Sequence, residues 1–161
     1  ESWSDSTGAV YTTGYEHTGY FNRKYLPRKR SDLAQPDLNL TNPNNYRVIR
    51  YSDVLLMAAE AYNRGGIDDF KAQEYVNMVR ARAFGDENHN VNVTGNNLTE
   101  VIYQERRLEL MGEGHRFFDL VRTGRAAQEI DGFVAGKHEV FPIPQEEIGY
   151  SGGNWTQNPN Y

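Results

Sequence analysis

Residues 98–124 read LTEVIYQERRLELMGEGHRFFDLVRTG. At 100° per residue, Leu98, Val101, Ile102 and Leu108 share one helix face, as in an amphipathic helix laid on a core. Glu105 and Glu109 fall in the middle of the same face. Desolvating a carboxylate there costs several kcal/mol unless a cation and further donors meet it. Arg106, Arg107, Arg116 and Arg122 stand within or just after the helix, and a guanidinium can hold a carboxylate through two parallel bonds. The stretch therefore predicts a buried or half-buried structural ion-pair network among Glu105, Arg106, Glu109, Arg116, Asp119 and Arg122.

Acids four residues apart also suit a metal or acid–base chemistry. The structural reading is the stronger one. A bundle-type di-metal site wants Glu-x-x-His, and Gly112 stands three residues before His115; the zinc pattern His-Glu-x-x-His is missing too. His115 falls at the break before a short second helix that ends at Gly124. No Ser or Cys nearby forms a triad with it, which favours a structural role. No catalytic residue, metal ligand or cofactor is expected.

The 161 residues suit one domain with a real core. A net charge of −5 gives no general attraction to nucleic acid or anionic lipid. Without Cys there is no disulfide framework, zinc ribbon or thiol nucleophile. No apolar run approaches the length of a membrane span. The chain opens at Glu1 without Met or a signal-like segment, and is read as a piece of something longer.

Outward from residues 98–124, two further helices are expected. One runs from Ser52, as N-cap, to Arg64 and stops at Gly65-Gly66; Leu55, Ala58, Ala59 and Tyr62 line its face, widened by Val54, Met57 and Ala61, leaving a polar stripe at Asp53, Glu60 and Arg64. The next, capped by Asp68 or Asp69, runs to about Ala83 with a stripe of Ala72, Tyr75, Val76, Val79 and Ala83. So short a link makes them antiparallel. Residues 85–96 read as a surface loop, and Asn97 with Glu100 as a capping-box-like start for the central helix.

Residues 1–46 form a loop-rich lead-in with one possible strand at 19–26, residues 47–124 a helical core, and residues 125–161 an extended tail packed on it. In the tail, GKHEVFPIP (136–144) carries two prolines and cannot join the middle of a sheet; Pro144 then opens one helical turn to Ile148. Exposed aromatics in such loops either stack on a ligand or fold inward as pins. Trp3, Tyr11, Tyr15 and Trp155 are the candidates for ligand contact.

RYSDVLLMAAEAYN (50–63), VNMVRARA (76–83), residues 98–124, GKHEVFPIPQEEI (136–148) and TQNPNY (156–161) together resemble, in order and spacing, the C-terminal region of SusD/RagB-family proteins. GYFNRKYL (19–26) is similar to the stretch that precedes that region. The resemblance implies a mainly α fold of tetratricopeptide-like antiparallel helix pairs with long irregular loops and little or no β-sheet. It further implies a non-catalytic lipoprotein of the outer membrane that holds a glycan or related nutrient for a SusC-like TonB-dependent transporter, its lipid anchor lying outside this stretch. ERRLEL (105–110) and EGHRFFD (113–119) look like the fold's own motifs rather than ligand contacts. The alternatives are a helical protein-interaction module and a hydrolase in which Glu109, Glu113 and His115 converge in an open cleft.

Overall fold

The computed structural model describes residues 14–15, 22, 24–25 and 45–161. The possible strand at 19–26 falls outside them except for Asn22, Lys24 and Tyr25. Among the described residues there are six helices and no strand: α1 (Tyr51–Arg64), α2 (Asp69–Phe84), α3 (Gly95–Glu109), α4 (Arg116–Arg122), α5 (Ala126–Glu129) and α6 (Gln145–Tyr150). The fold is thus mainly α. It divides into two units, 1–112 and 113–161.

In the first unit α1 packs on both α2 and α3. Leu55, Leu56, Ala59, Ala72, Val76, Val79, Leu98 and Ile102 form its core. The Asp68 carboxylate accepts from the Lys71 N–H and so caps α2, while Gly85, at φ 82°, ends it in the left-handed conformation that glycine adopts without strain. The other expected caps are not formed. Arg50, not Ser52, precedes α1, and Thr94, not Asn97, precedes α3; neither caps its helix with its side chain.

Which way α3 runs follows from its end contacts. Its first turn meets Asn63 at the end of α1 and Asp69 at the start of α2, and Glu109 at its last turn meets Arg50 before α1 and Arg82 near the end of α2. Helix α3 is therefore antiparallel to α1 and parallel to α2, so the chain must travel back along α2 to begin it. Sixteen residues of α2 are about 24 Å long, and the ten residues 85–94 can span at most about 33 Å. The first half of the connection, 85–89, turns, with the Asn90 N–H on the Glu87 carbonyl at 3.1 Å, and residues 90–94 carry no turn and cover the way back along α2.

Side chains of α2 hold it so. Arg80 Nε donates to the His89 carbonyl at 2.7 Å, and Gln73 Nε2 to the Val93 carbonyl at 2.9 Å. Between them Asn77 takes both main-chain groups of Val91, donating to its carbonyl at 3.0 Å and accepting from its N–H at 2.8 Å. These residues sit at i, i+4 and i+7 on one face, so one side of the helix serves as a polar rail that satisfies an extended backbone without a sheet.

Charge is buried in the helix interfaces. Asp53 and Glu60, expected on a polar outer stripe of α1, are buried at 4% and 7% exposure, whereas Val54 and Met57 lie exposed. Arg106 donates to Asp53 across the α1–α3 interface at 2.9 Å, both side chains being nearly closed to solvent. Arg80 meets the buried Glu105 at 2.7 Å, Arg50 and Arg82 both meet Glu109, and Arg64 meets Glu60 at 3.0 Å. The two acids of α3 thus take cations from before α1 and from α2. Leu108, placed on the inward face by periodicity, is 56% exposed, because α3 turns Glu105 and Arg106 inward.

The end of α3 is closed by the chain's early residues. Lys24 Nζ donates to the carbonyls of Glu109 at 2.6 Å and Met111 at 3.0 Å, and Arg50 Nη2 to that of Glu109 at 2.6 Å. Cations there oppose the negative end of the helix dipole while supplying its orphan carbonyls. Asn22 Nδ2 reaches the Gly112 carbonyl at 3.0 Å; a side chain at Gly112, whose φ is 76°, would collide with Asn22.

In the second unit α4 and α5 pack together, with Leu120 and Ala126 buried. Arg116 Nη2 joins Glu129 at 2.6 Å and Arg122 joins Asp119 at 2.8 Å. Phe117 is 38% exposed beside Phe118 and Phe133. The proline-bearing segment is held by the closing TQNPNY. Gln157 both donates to and accepts from the main chain of Ile143 at 2.8 Å, Asn158 donates to the Phe141 carbonyl at 2.6 Å, and Tyr161 Oη to that of Val140 at 2.9 Å. Ile143 is the residue between Pro142 and Pro144 that still has an N–H to offer. Helix α6 begins directly after Pro144.

Two outcomes follow. Ile102 is fully buried, so Ile102→Ala should lower the unfolding free energy by about 2–5 kcal/mol in a denaturant titration, whereas Leu108→Ala should change it by no more than about 1 kcal/mol. Arg106→Met leaves the Asp53 carboxylate buried without its guanidinium and should cost about 3–5 kcal/mol. Acid sensitivity has a separate source. Burial raises the Glu109 pKa, but the hydrogen bonds and charges of Arg50 and Arg82, with Ser52, outweigh it and hold the carboxyl below the ordinary glutamate range. A lowered folded pKa gives stability that is complete above the unfolded value and is lost as pH falls through the folded one. Glu109→Gln should therefore flatten the acid limb of stability against pH, measured by urea unfolding across a pH series.

Candidate functional site

The first unit carries an open groove of about 760 Å³ where the α1–α2 turn meets the start of α3. Gly66, at φ 63°, allows the tight turn that brings Asp68 and Asp69 beneath the end of α1. The floor is a closed set of hydrogen bonds centred on the buried Asn63. Its Nδ2 donates to Asp69 Oδ1 at 2.7 Å and to the Gly95 carbonyl at 3.1 Å, and its Oδ1 accepts from the Thr99 hydroxyl at 2.6 Å. Asp69 Oδ2 accepts from the Gly95 N–H at 2.6 Å. That backbone donor, then Asn63, holds the Asp69 carboxyl below its ordinary pKa, so it stays ionised through neutral and mildly acid pH.

The rim is of another kind. Phe70 is 74% and Ile67 69% exposed, while Thr94 and Asn96 lie exposed beside them. The groove thus offers an aromatic ring and small neutral polar groups above a preorganised floor. Sequence reading missed it, since it joins residues about 30 positions apart; the visible signal was Phe70, an aromatic two places past the N-cap Asp68 at the start of an amphipathic helix.

Of the aromatics singled out from sequence, Trp3 and Tyr11 lie outside the described residues. Tyr15, at 92% exposure in the first unit, and Trp155, at 54% in the second, are both open to solvent. Glu105, Arg106, Glu109, Arg116, Asp119 and Arg122 all stand in the ion pairs given above, within the frameworks of their own units. Glu109 is held by two arginines in the first unit, and Glu113, in the second, is buried at 4% exposure. Among the described residues no group of three or more acidic, His or Cys side chains is placed to hold a metal ion, and no helix is long and apolar enough to cross a membrane.

Comparison with known proteins gives a consistent result. The SusD family model matches residues 1–139. SusD-like protein P2 of Formosa agariphila is 32% identical over 132 residues, 73% of this chain and 26% of that protein. SusD-like protein P38 of the same organism is 36% identical over 137 residues, 70% of this chain and 27% of that protein. The chain therefore spans about a quarter of the length of these relatives. Among solved structures, a laminarin-binding SusD-like protein is similar over 99% of this chain and 33% of its own, with 40% identity and a TM-score of 0.72. A SusD homologue from Bacteroides thetaiotaomicron matches 73% of this chain and 26% of its own, at 33% identity and a TM-score of 0.64.

Proposed function

Because the chain belongs to the SusD family, we propose that it is part of a non-catalytic glycan-binding protein of the outer membrane, which presents its ligand to a TonB-dependent transporter. The observation that carries this is the match along almost the whole chain to a SusD-like protein that binds laminarin. The chemistry agrees. Saccharides are recognised by aromatic faces against the C–H side of the ring, with amides and hydroxyls on the sugar hydroxyls, and no proton needs to be moved. Exposed aromatics are present in both units, and the most buried acids of the first unit are tied to arginines.

A helical protein-interaction module is the second reading. The exposed Val54 and Met57 on α1 favour it, as the face a partner helix would cover. The two readings coexist in a protein that both holds a ligand and seats on a transporter.

Isothermal titration of the full-length protein against laminarin, starch and xylan oligosaccharides should show saturable binding to at least one. Chromatography of the same mixtures should show no new reducing ends. Saturation by none of these sugars, or their cleavage, overturns the proposal.

A further inference from the structure

We propose that the groove between the α1–α2 turn and the start of α3 is itself a subsite for a neutral saccharide, with Phe70 as the stacking platform and Asn96 and Thr94 as hydroxyl partners. This rests on the glycan-binding reading and assigns it a place. Three features of the groove argue for it. Its volume of about 760 Å³ lies within the roughly 300–1,000 Å³ of small-molecule sites, enough for more than one sugar ring in an open trough.

Its exposed surface is sorted by chemistry. Phe70 and Ile67 stand at the rim with most of their area in water, although each follows or precedes residues fully committed to the turn: Asp68 caps α2 and Asp69 ties α2 to α3. An aromatic ring so placed gains nothing from the core and has its face free for the C–H side of a pyranose. The floor, by contrast, has its polar groups already engaged with one another, so it contributes shape and rigidity, and a ligand meets little reorganisation cost.

Charge selects the ligand class. Arg64 is partnered by Glu60 at 3.0 Å, while Asp68 and Asp69 add two carboxylates beneath the rim, one of them held ionised by Gly95 and Asn63. The local field is thus negative and disfavours uronates, sulfated sugars and phosphates. Asn96 and the Thr94 hydroxyl, which does not cap its own helix, offer both donors and acceptors to uncharged hydroxyls.

The test combines calorimetry and hydrogen–deuterium exchange on the full-length protein, using laminarin hexasaccharide, maltohexaose and a polygalacturonate oligomer as probes. Wild type is expected to bind a neutral probe and to show slowed exchange at 63–70 and 94–99 when it does. Phe70→Ala should weaken that binding at least tenfold and Asn96→Ala several-fold, with unchanged circular dichroism; Phe70→Tyr should keep it. Binding of a neutral probe that both alanine variants retain, with no protection of the groove, overturns this inference and leaves glycan binding standing. Tighter binding of the polygalacturonate than of either neutral probe also overturns it. A wild type that binds none of the probes overturns this inference, and the glycan-binding reading then stands or falls on the panel that includes xylan.

Discussion

Carboxylates that face inward between helices are costly to bury unless guanidinium groups reach them, and in the first unit that requirement sets how the three helices meet. Asp53 on α1 needs Arg106 of α3; Glu105 on α3 needs Arg80 of α2; Glu109 needs Arg50 and Arg82. Each pair crosses an interface, so a slip of one helical turn would leave several charges buried without a partner at once. Apolar contacts among Leu56, Val76, Leu98 and Ile102 supply the driving force; the charges supply direction, since an apolar face alone tolerates several packings.

This division explains how much could be read from the chain. The three long helices, the Asp68 cap and the glycine stops are written in local residues, and their bounds fell within a few positions of those observed. That Glu105 and Glu109 sit on an apolar face was equally visible from period alone. Their cations Arg50, Arg80 and Arg82 were not, because these come near only once α3 lies parallel to α2. Asp53 and Glu60 read as a solvent stripe for the same reason: a buried acid looks like a surface acid until its partner is in place.

The candidate groove lay beyond such reading altogether. Asn63, Asp69, Gly95 and Thr99 have nothing in common in sequence, and each has a bland local explanation as a helix-end residue. Their convergence is a product of chain direction, which places the end of one helix and the beginnings of two others at a single corner. Aromatic content, by comparison, signalled that exposed rings exist without saying which of them share a surface.

The side chains of Asn77 and Gln157 grip main-chain atoms of Val91 and Ile143, not anything that distinguishes a valine or an isoleucine. At Val91 the side chain also packs against the core, so the position needs an apolar residue as well as the right count of residues leading to it: one inserted residue between Gly85 and Val91 would offer Asn77 a peptide group out of phase. In these two connections, related proteins should keep the number of residues more strictly than the identity of those that face solvent.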